Sequence, residues 1–175
     1  PWFEVDDQLV FTTVKAFGDR LRSEFYAHLD SFAQNIDLVD IKELYPFHAD
    51  FLSRLAMTFS HGEYAADTRI KNQEKTAKML CEKALTYAPD ARAFLCLAML
   101  LQKHRCFNDA ILILEKGLAH YPENKDLNIC MGVNLMNTGR FKVALNFFEK
   151  FKKFPETSFY INTCHQNITG HKHDR

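Results

Sequence analysis

The sequence predicts an all-α fold, a right-handed α-solenoid of stacked helix pairs, on three observations. Apolar residues recur every three or four positions over long stretches, as on the buried face of a helix. Sixteen Phe but only six Gly occur in the chain, which favours helical packing over a β protein with many turns. Ala77, Ala110 and Ala144 recur at nearly equal intervals, as do Pro89, Pro122 and Pro155. A regular interval of this length is typical of helix pairs that bury their apolar faces against one another.

Charge and hydropathy exclude two kinds of partner. Lys plus Arg and Asp plus Glu are 22 each, so the chain has no long-range field that would attract nucleic acid or an anionic membrane. No apolar run in the sequence is long enough to span a bilayer. We therefore expect neither nucleic acid nor membrane as a partner.

The five cysteines indicate a reducing compartment. Their number is odd, no CxxC occurs, and most lie in apolar helical segments. Reduced, buried thiols are favoured over a disulfide framework, which predicts a cytoplasmic protein. Because the chain begins at Pro1, we also expect a fragment or a processed product.

Residues 1–46 are predicted to be a helical lead-in that packs on the repeats. The segment 1–18 fits either an extended start or a helix. From Asp19 an apolar stripe predicts a helix: Leu21, Phe25, Leu29, Phe32 and Ile36. Pro46 disfavours helix at Tyr45 and marks a boundary there.

The first helix pair is predicted over residues 47–90. Its first helix spans residues 47–61 and ends at Gly62, and its second spans residues 75–87. The polar stretch 65–74 between them is an insertion, for which a solvated loop is favoured over a binding loop.

Two further pairs are predicted at residues 91–124 and 125–158. Their helices span residues 91–105 and 107–121, then 125–138 and 141–154. Small residues at Ala98 and Gly132 are expected to face Ala110 and Ala144, which lets the helices of a pair cross closely. A capping helix at 159–169 and a disordered tail at 170–175 complete the chain.

These pairs resemble the tetratricopeptide repeat. Residues 91–124 carry its pattern at Phe94, Leu97, Ala98, Leu101, Ala110, Leu114, Gly117 and Pro122; residues 125–158 carry it at Met131, Gly132, Leu135, Gly139, Phe141, Ala144 and Phe148. The third pair departs where Asn128 replaces a large residue and Phe151 a small one. The resemblance implies three repeats and names no ligand.

A second, fainter resemblance is to the C-terminal extension of bacterial cobalamin-binding radical SAM proteins. It is carried by the order of segments and by LNICMGVNLMNTGRFKVALNFFEKF. The CxxxCxxC motif that would hold an iron-sulfur cluster is absent, so no catalytic residue is transferred.

The tetratricopeptide resemblance implies a concave face lined by the first helix of each pair. The residues it places there form the candidate partner-binding site: Leu95, Cys96, Met99, Gln102, Ile129, Cys130, Val133 and Met136. That face is apolar, and the basic and Asn clamp by which chaperone-binding relatives hold a carboxylate has no match. An apolar helical or extended protein segment is the expected occupant.

The sequence thus predicts a non-catalytic scaffold for protein-protein interaction. Its groove binds a partner segment, its own helix at residues 19–36, or a second copy. The alternative is a non-catalytic accessory domain of a larger radical SAM enzyme. No phosphate loop, nucleophile elbow or catalytic carboxylate pair is present, and no cofactor is expected. His165, His171, His173 and Cys164 suggest a metal site, but a polar tail is favoured over one, since structural zinc needs four fixed ligands.

Overall fold

The structure, a computed structural model, describes residues 31–61 and 72–170. Within these ranges the chain is helical and contains no strand. Residues 31–34 are helical, and a 3-10 turn at Lys42–Leu44 precedes the main helices. The main helices are α1 (Tyr45–His61), α2 (Gln73–Tyr87), α3 (Ala91–Lys103), α4 (Phe107–His120), α5 (Lys125–Asn137), α6 (Phe141–Glu149) and α7 (Pro155–Gly170).

The helices stack in pairs. α1 packs on α2, α3 on α4 and α5 on α6, while α7 closes the stack against α6. The first helices also contact one another in sequence, α1 with α3 and α3 with α5. The predicted fold class, a right-handed α-solenoid of three helix pairs with a capping helix, is confirmed.

The first helices of the second and third pairs begin in the same way. Asp90 Oδ1 accepts a hydrogen bond from the N–H of Ala93 at 2.9 Å, and Asn124 Oδ1 accepts one from the N–H of Leu127 at 3.0 Å. A side-chain oxygen at this position satisfies one of the N–H groups that a helix start leaves free. The two caps occupy equivalent positions in successive repeats, so the repeat is set by local chemistry as well as by packing.

The turns inside these two pairs also match. Arg105 has φ 59°, and Gly139, at the equivalent position of the next repeat, has φ 76°. The left-handed conformation is natural for Gly and unfavourable for Arg. In each turn the N–H after the left-handed residue donates a hydrogen bond of 2.9 Å: Cys106 to Leu101 O, and Arg140 to Leu135 O.

The third pair crosses closely at Gly132. A Cβ atom added to Gly132 would lie 2.6 Å from two ring atoms of Phe148, closer than real Cβ atoms come. Phe148 is fully buried. The sequence predicted the small residue Ala144 opposite Gly132; the atoms nearest to Gly132 in the structure are those of the Phe148 ring, for which the missing side chain on α5 makes room.

The two departures of the third repeat exchange the places of a large and a smaller residue. In the second repeat the ring of Phe94 packs on Gly117, where an added Cβ would lie 3.0 Å from Phe94 Cβ. In the third repeat the equivalent positions carry Asn128 and Phe151. Both are buried, and Phe151 lies in the turn just after α6, so the large residue stands in the second half of this repeat instead of on its first helix.

Two prolines begin helices that were expected to start later. Pro46 is the second residue of α1, and Pro155 is the first of α7. Proline fits the first turn of a helix because the N–H it lacks would have no partner there. Pro155 also disfavours helix at the preceding residue, and α6 ends at Glu149 instead of Phe154.

Several predicted segments lie outside the described residues. They are residues 1–30, most of the insertion at residues 65–74, and the tail after residue 170; residues 73 and 74 belong to α2. Two residues of the predicted lead-in stripe are described by the structure. Ile36 is buried in the core of the first pair, together with the neighbouring Ala33, whereas Phe32 is 52% exposed.

Replacing Gly132 with Ala should destabilise the protein. The new methyl group meets the Phe148 ring, and overpacking costs about 1–3 kcal/mol, which exceeds the helix-propensity gain of at most about 1 kcal/mol. Urea unfolding followed by circular dichroism measures the change.

The matched control is Gly170→Ala, since an added Cβ there meets nothing within 4 Å. Adding Phe148→Leu to Gly132→Ala should cost less than the sum of the two single changes. Equal stability of Gly132→Ala and the unmodified protein would contradict the close crossing.

Candidate interaction groove

A groove of about 300 Å³ lies between α3 and α5. Each of these helices contributes one face, and α7 closes one side. The groove is lined by Leu95, Met99, Gln102, Asp126, Ile129, Cys130, Val133 and Tyr160. Six of the eight residues proposed from the sequence are therefore brought together in it.

The other two residues lie elsewhere. Cys96 is fully buried in the core of the first pair, where its Sγ lies 3.3 Å from Ser60 Oγ. It faces α1 and α2 rather than the groove, so it cannot contact a partner there. Met136 is half-buried and packs on the second core cluster beyond the end of the groove.

A buried polar link joins the two walls of the groove. Asn134 Nδ2 donates to Gln102 Oε1 at 3.1 Å and to the carbonyl of Cys130 at 2.8 Å. Asn134 is fully buried; its Nδ2 makes the hydrogen bonds that a buried amide needs, whereas its Oδ1 has no partner among the described residues. The link fixes α3 against α5, so Gln102 serves to position the walls as well as to line them.

Sequence reasoning missed Asp126, Asn134 and Tyr160. Asp126 precedes Ile129 and Cys130 by three and four positions, so the helical period could have placed it on the same face. Tyr160 had no sequence signal of this kind. Its ring stacks on Phe148 with centroids 5.0 Å apart, and this contact brings α7 to the groove.

One acidic side chain lies at the groove. Lys125 Nζ is 3.9 Å from Asp126 Oδ1 and 3.0 Å from Glu156 Oε1. The hydrogen bond to Glu156 raises the pKa of Lys125. All three groups are substantially exposed, so these pairs contribute little to stability. The groove itself is apolar with one acidic edge.

Cys130, which lines the groove, and Cys81, in the core of the first pair, are protected by burial. Burial raises the pKa of Cys130 to about 12. A hydrogen bond with Cys96, together with burial, raises the pKa of Cys81. The thiolate is the reactive form of cysteine, so these groups act as apolar core residues.

No contact among the described residues supports the hypothesis that the groove is filled by the lead-in helix of the same chain. Three side chains of its predicted stripe, Leu21, Phe25 and Leu29, lie outside the described residues. Phe32 is exposed, and its neighbours Ala33 and Ile36 join the first core cluster instead.

Residues 31–61 and 72–170 contain no group of three His, Cys, Asp or Glu that could hold a metal ion. His171 and His173 lie outside these ranges. No helix in the same ranges is long and apolar enough to cross a membrane.

The chain is similar in structure to MamA. One solved chain, MamA of AMB-1 in a P212121 crystal, aligns with a TM-score of 0.50 and 17% identity over 88% of this chain and 86% of that one. MamA of MSR-1 in a C2 crystal aligns with a TM-score of 0.48 and 18% identity over 87% and 90%. MamA has the tetratricopeptide fold, and the first likeness shows a helical repeat fold of that kind here.

Comparison with protein-family models gives no match, and comparison with curated proteins gives none either.

Thiol labelling tests the placement of the cysteines. Cys106 is exposed and the other four are buried. In native protein at mildly alkaline pH, a disulfide reagent such as DTNB should react rapidly with one thiol per chain and slowly with four, as followed by absorbance.

Cys106→Ser should remove the fast phase, and denaturant should expose all the remaining thiols. A fast reaction at Cys96 would contradict its burial in the core of the first pair.

Proposed function

We propose that this chain is a scaffold for protein-protein interaction and that the groove between α3 and α5 binds an apolar helical or extended segment of another protein. The observation that supports this most is a set of half-buried apolar side chains on two fixed helices: Leu95, Met99, Ile129 and Val133. Surfaces of this kind bind the apolar stripe of a helix or alternate side chains of a strand.

The size of the groove limits how much of a partner it takes. A volume of about 300 Å³ is at the small end of the range for ligand sites. It therefore suits a few anchoring side chains of a longer segment. Met99 is unbranched and polarizable, which lets it adapt to anchors of different shape.

Charge selects against an acidic or carboxylate-terminated segment. Of the described residues that line the groove, Asp126 alone is charged, and none is Lys or Arg. A carboxylate placed there would be desolvated without a partner. An apolar segment with a neutral or basic flank beside Asp126 is the better match.

We also infer that the chain is non-catalytic and cytoplasmic. All five thiols are free, which fits a reducing compartment. A second copy, the lead-in of the same chain, and membership of a larger radical SAM enzyme stay predictions from the sequence.

Peptide selection tests the groove. The immobilised protein is used to select from a random peptide library, and enriched peptides should carry apolar residues at helical or alternating spacing. Met99→Glu should weaken binding of a selected peptide at least about tenfold, because burying an unpaired charge costs more than about 1.4 kcal/mol. Isothermal titration calorimetry gives the affinities.

The matched control is Leu112→Glu. Leu112 is 57% exposed on α4 and does not line the groove, so this variant should bind as the unmodified protein does. Both variants should keep the helical circular dichroism spectrum. Selected peptides that bind both variants equally well would show that the site lies elsewhere.

A further inference from the structure

A second pocket, of about 440 Å³, lies between α4 and α6. α5 forms its floor through Asn128, Met131 and Leu135. Its walls are mainly apolar, with Ile111 and Leu118 from α4 and Val143 and Phe147 from α6.

This pocket and the groove lie on opposite faces of α5. The groove uses positions 126, 129, 130 and 133, and the pocket uses 128, 131 and 135. At about 100° per residue the two sets point about 180° apart around the helix axis. The pocket is therefore a separate site, and its occupancy does not depend on the proposed function of the groove.

Asn128, which forms part of the floor, carries a buried polar atom without a partner. Asn128 Nδ2 donates to the carbonyls of Pro122 and Asn124 at 2.9 and 2.8 Å. Carbonyls only accept, so the amide cannot be reversed without losing both bonds. Asn128 Oδ1 consequently points elsewhere, and no described residue donates to it.

Leaving this oxygen unsatisfied is costly. Asn128 is 1% exposed, and a buried acceptor without a donor destabilises the fold. In the second repeat the same position carries Phe94, an aromatic ring with no such requirement. At this position the third repeat thus has a hydrogen-bond acceptor beside a pocket, whereas the second repeat has the aromatic ring of Phe94.

The charges around the pocket favour an aromatic occupant. Arg140 and Lys150 line it together with Glu115, and Arg140 also donates to Asn108 Oδ1 at 2.9 Å. Cations are attracted to the face of an aromatic ring, most strongly to indole. Indole N–H is a hydrogen-bond donor and not an acceptor. It can therefore pair with the free acceptor Asn128 Oδ1 and leaves no further polar group to satisfy.

We propose that this pocket binds the indole side chain of a tryptophan from a partner protein. The ring packs among Met131, Val143 and Phe147, and its N–H donates to Asn128 Oδ1. A small movement of the side chains that form the floor exposes Asn128 Oδ1 to the ring. The hydrogen bond from the indole N–H then gives this acceptor the partner that it lacks.

The test uses the full chain and two matched probes. N-acetyl-tryptophanamide carries the indole N–H, whereas the 3-benzothienylalanine analogue has sulfur in its place and a ring of nearly the same shape. Methyl NMR signals of Ile111, Leu118, Leu135 and Val143 should shift on titration. The tryptophan probe should bind about fivefold more tightly than the sulfur analogue, the effect of one hydrogen bond.

Val143→Glu, at a position 47% exposed, should abolish the shifts, and Leu112→Glu, on α4 but outside the pocket, should preserve them. Asn128→Leu supplies a second comparison: binding of the two probes should become equal if its fold is retained. Equal affinity of the two probes for the unmodified protein, or shifts confined to Leu95, Ile129 and Val133 in the groove, would overturn the proposal.

Discussion

The contact between Gly132 and Phe148 is the constraint on which the C-terminal half of the structure depends. Because α5 has no side chain at this point, the ring of Phe148 fits against its backbone and is fully buried. The same ring stacks on Tyr160 and so determines where α7 lies. Tyr160 in turn closes the groove, and one close crossing connects the third pair, the capping helix and the candidate site.

Polar groups inside the stack determine how the helices align. Asn134 joins α5 to α3 through Gln102, and Tyr121 OH donates to the carbonyl of Pro89 at 2.7 Å, joining the second repeat to the first. Apolar contacts alone would allow neighbouring pairs to slide, because the hydrophobic effect is non-directional. Hydrogen bonds require specific geometry, and they favour one alignment.

The repeat period predicted the fold class because the spacing of Ala and Pro residues fixes which helices can stack. It predicted most of the groove for the same reason, since residues such as Leu95 and Ile129 occupy equal places in successive repeats. Cys96 was misplaced because the period gives a residue's position along the repeat but not how deeply it is buried. Tyr160 could not be found, because its place depends on a contact between rings distant in sequence. Asn128 and Phe151 each looked like a defect in the repeat pattern, but both positions are buried, and together they reverse the order of large and small residues seen in the second repeat.

The two faces of α5 have a further consequence for assembly. A helix with its side chains is about 10–12 Å across, so segments bound on both faces would be held a short, fixed distance apart. Two proteins captured in this way, or two segments of one protein, would experience a high effective concentration without touching each other. The strength of such an arrangement would come from geometry rather than from either contact alone, and a single rigid helix would be enough to provide it.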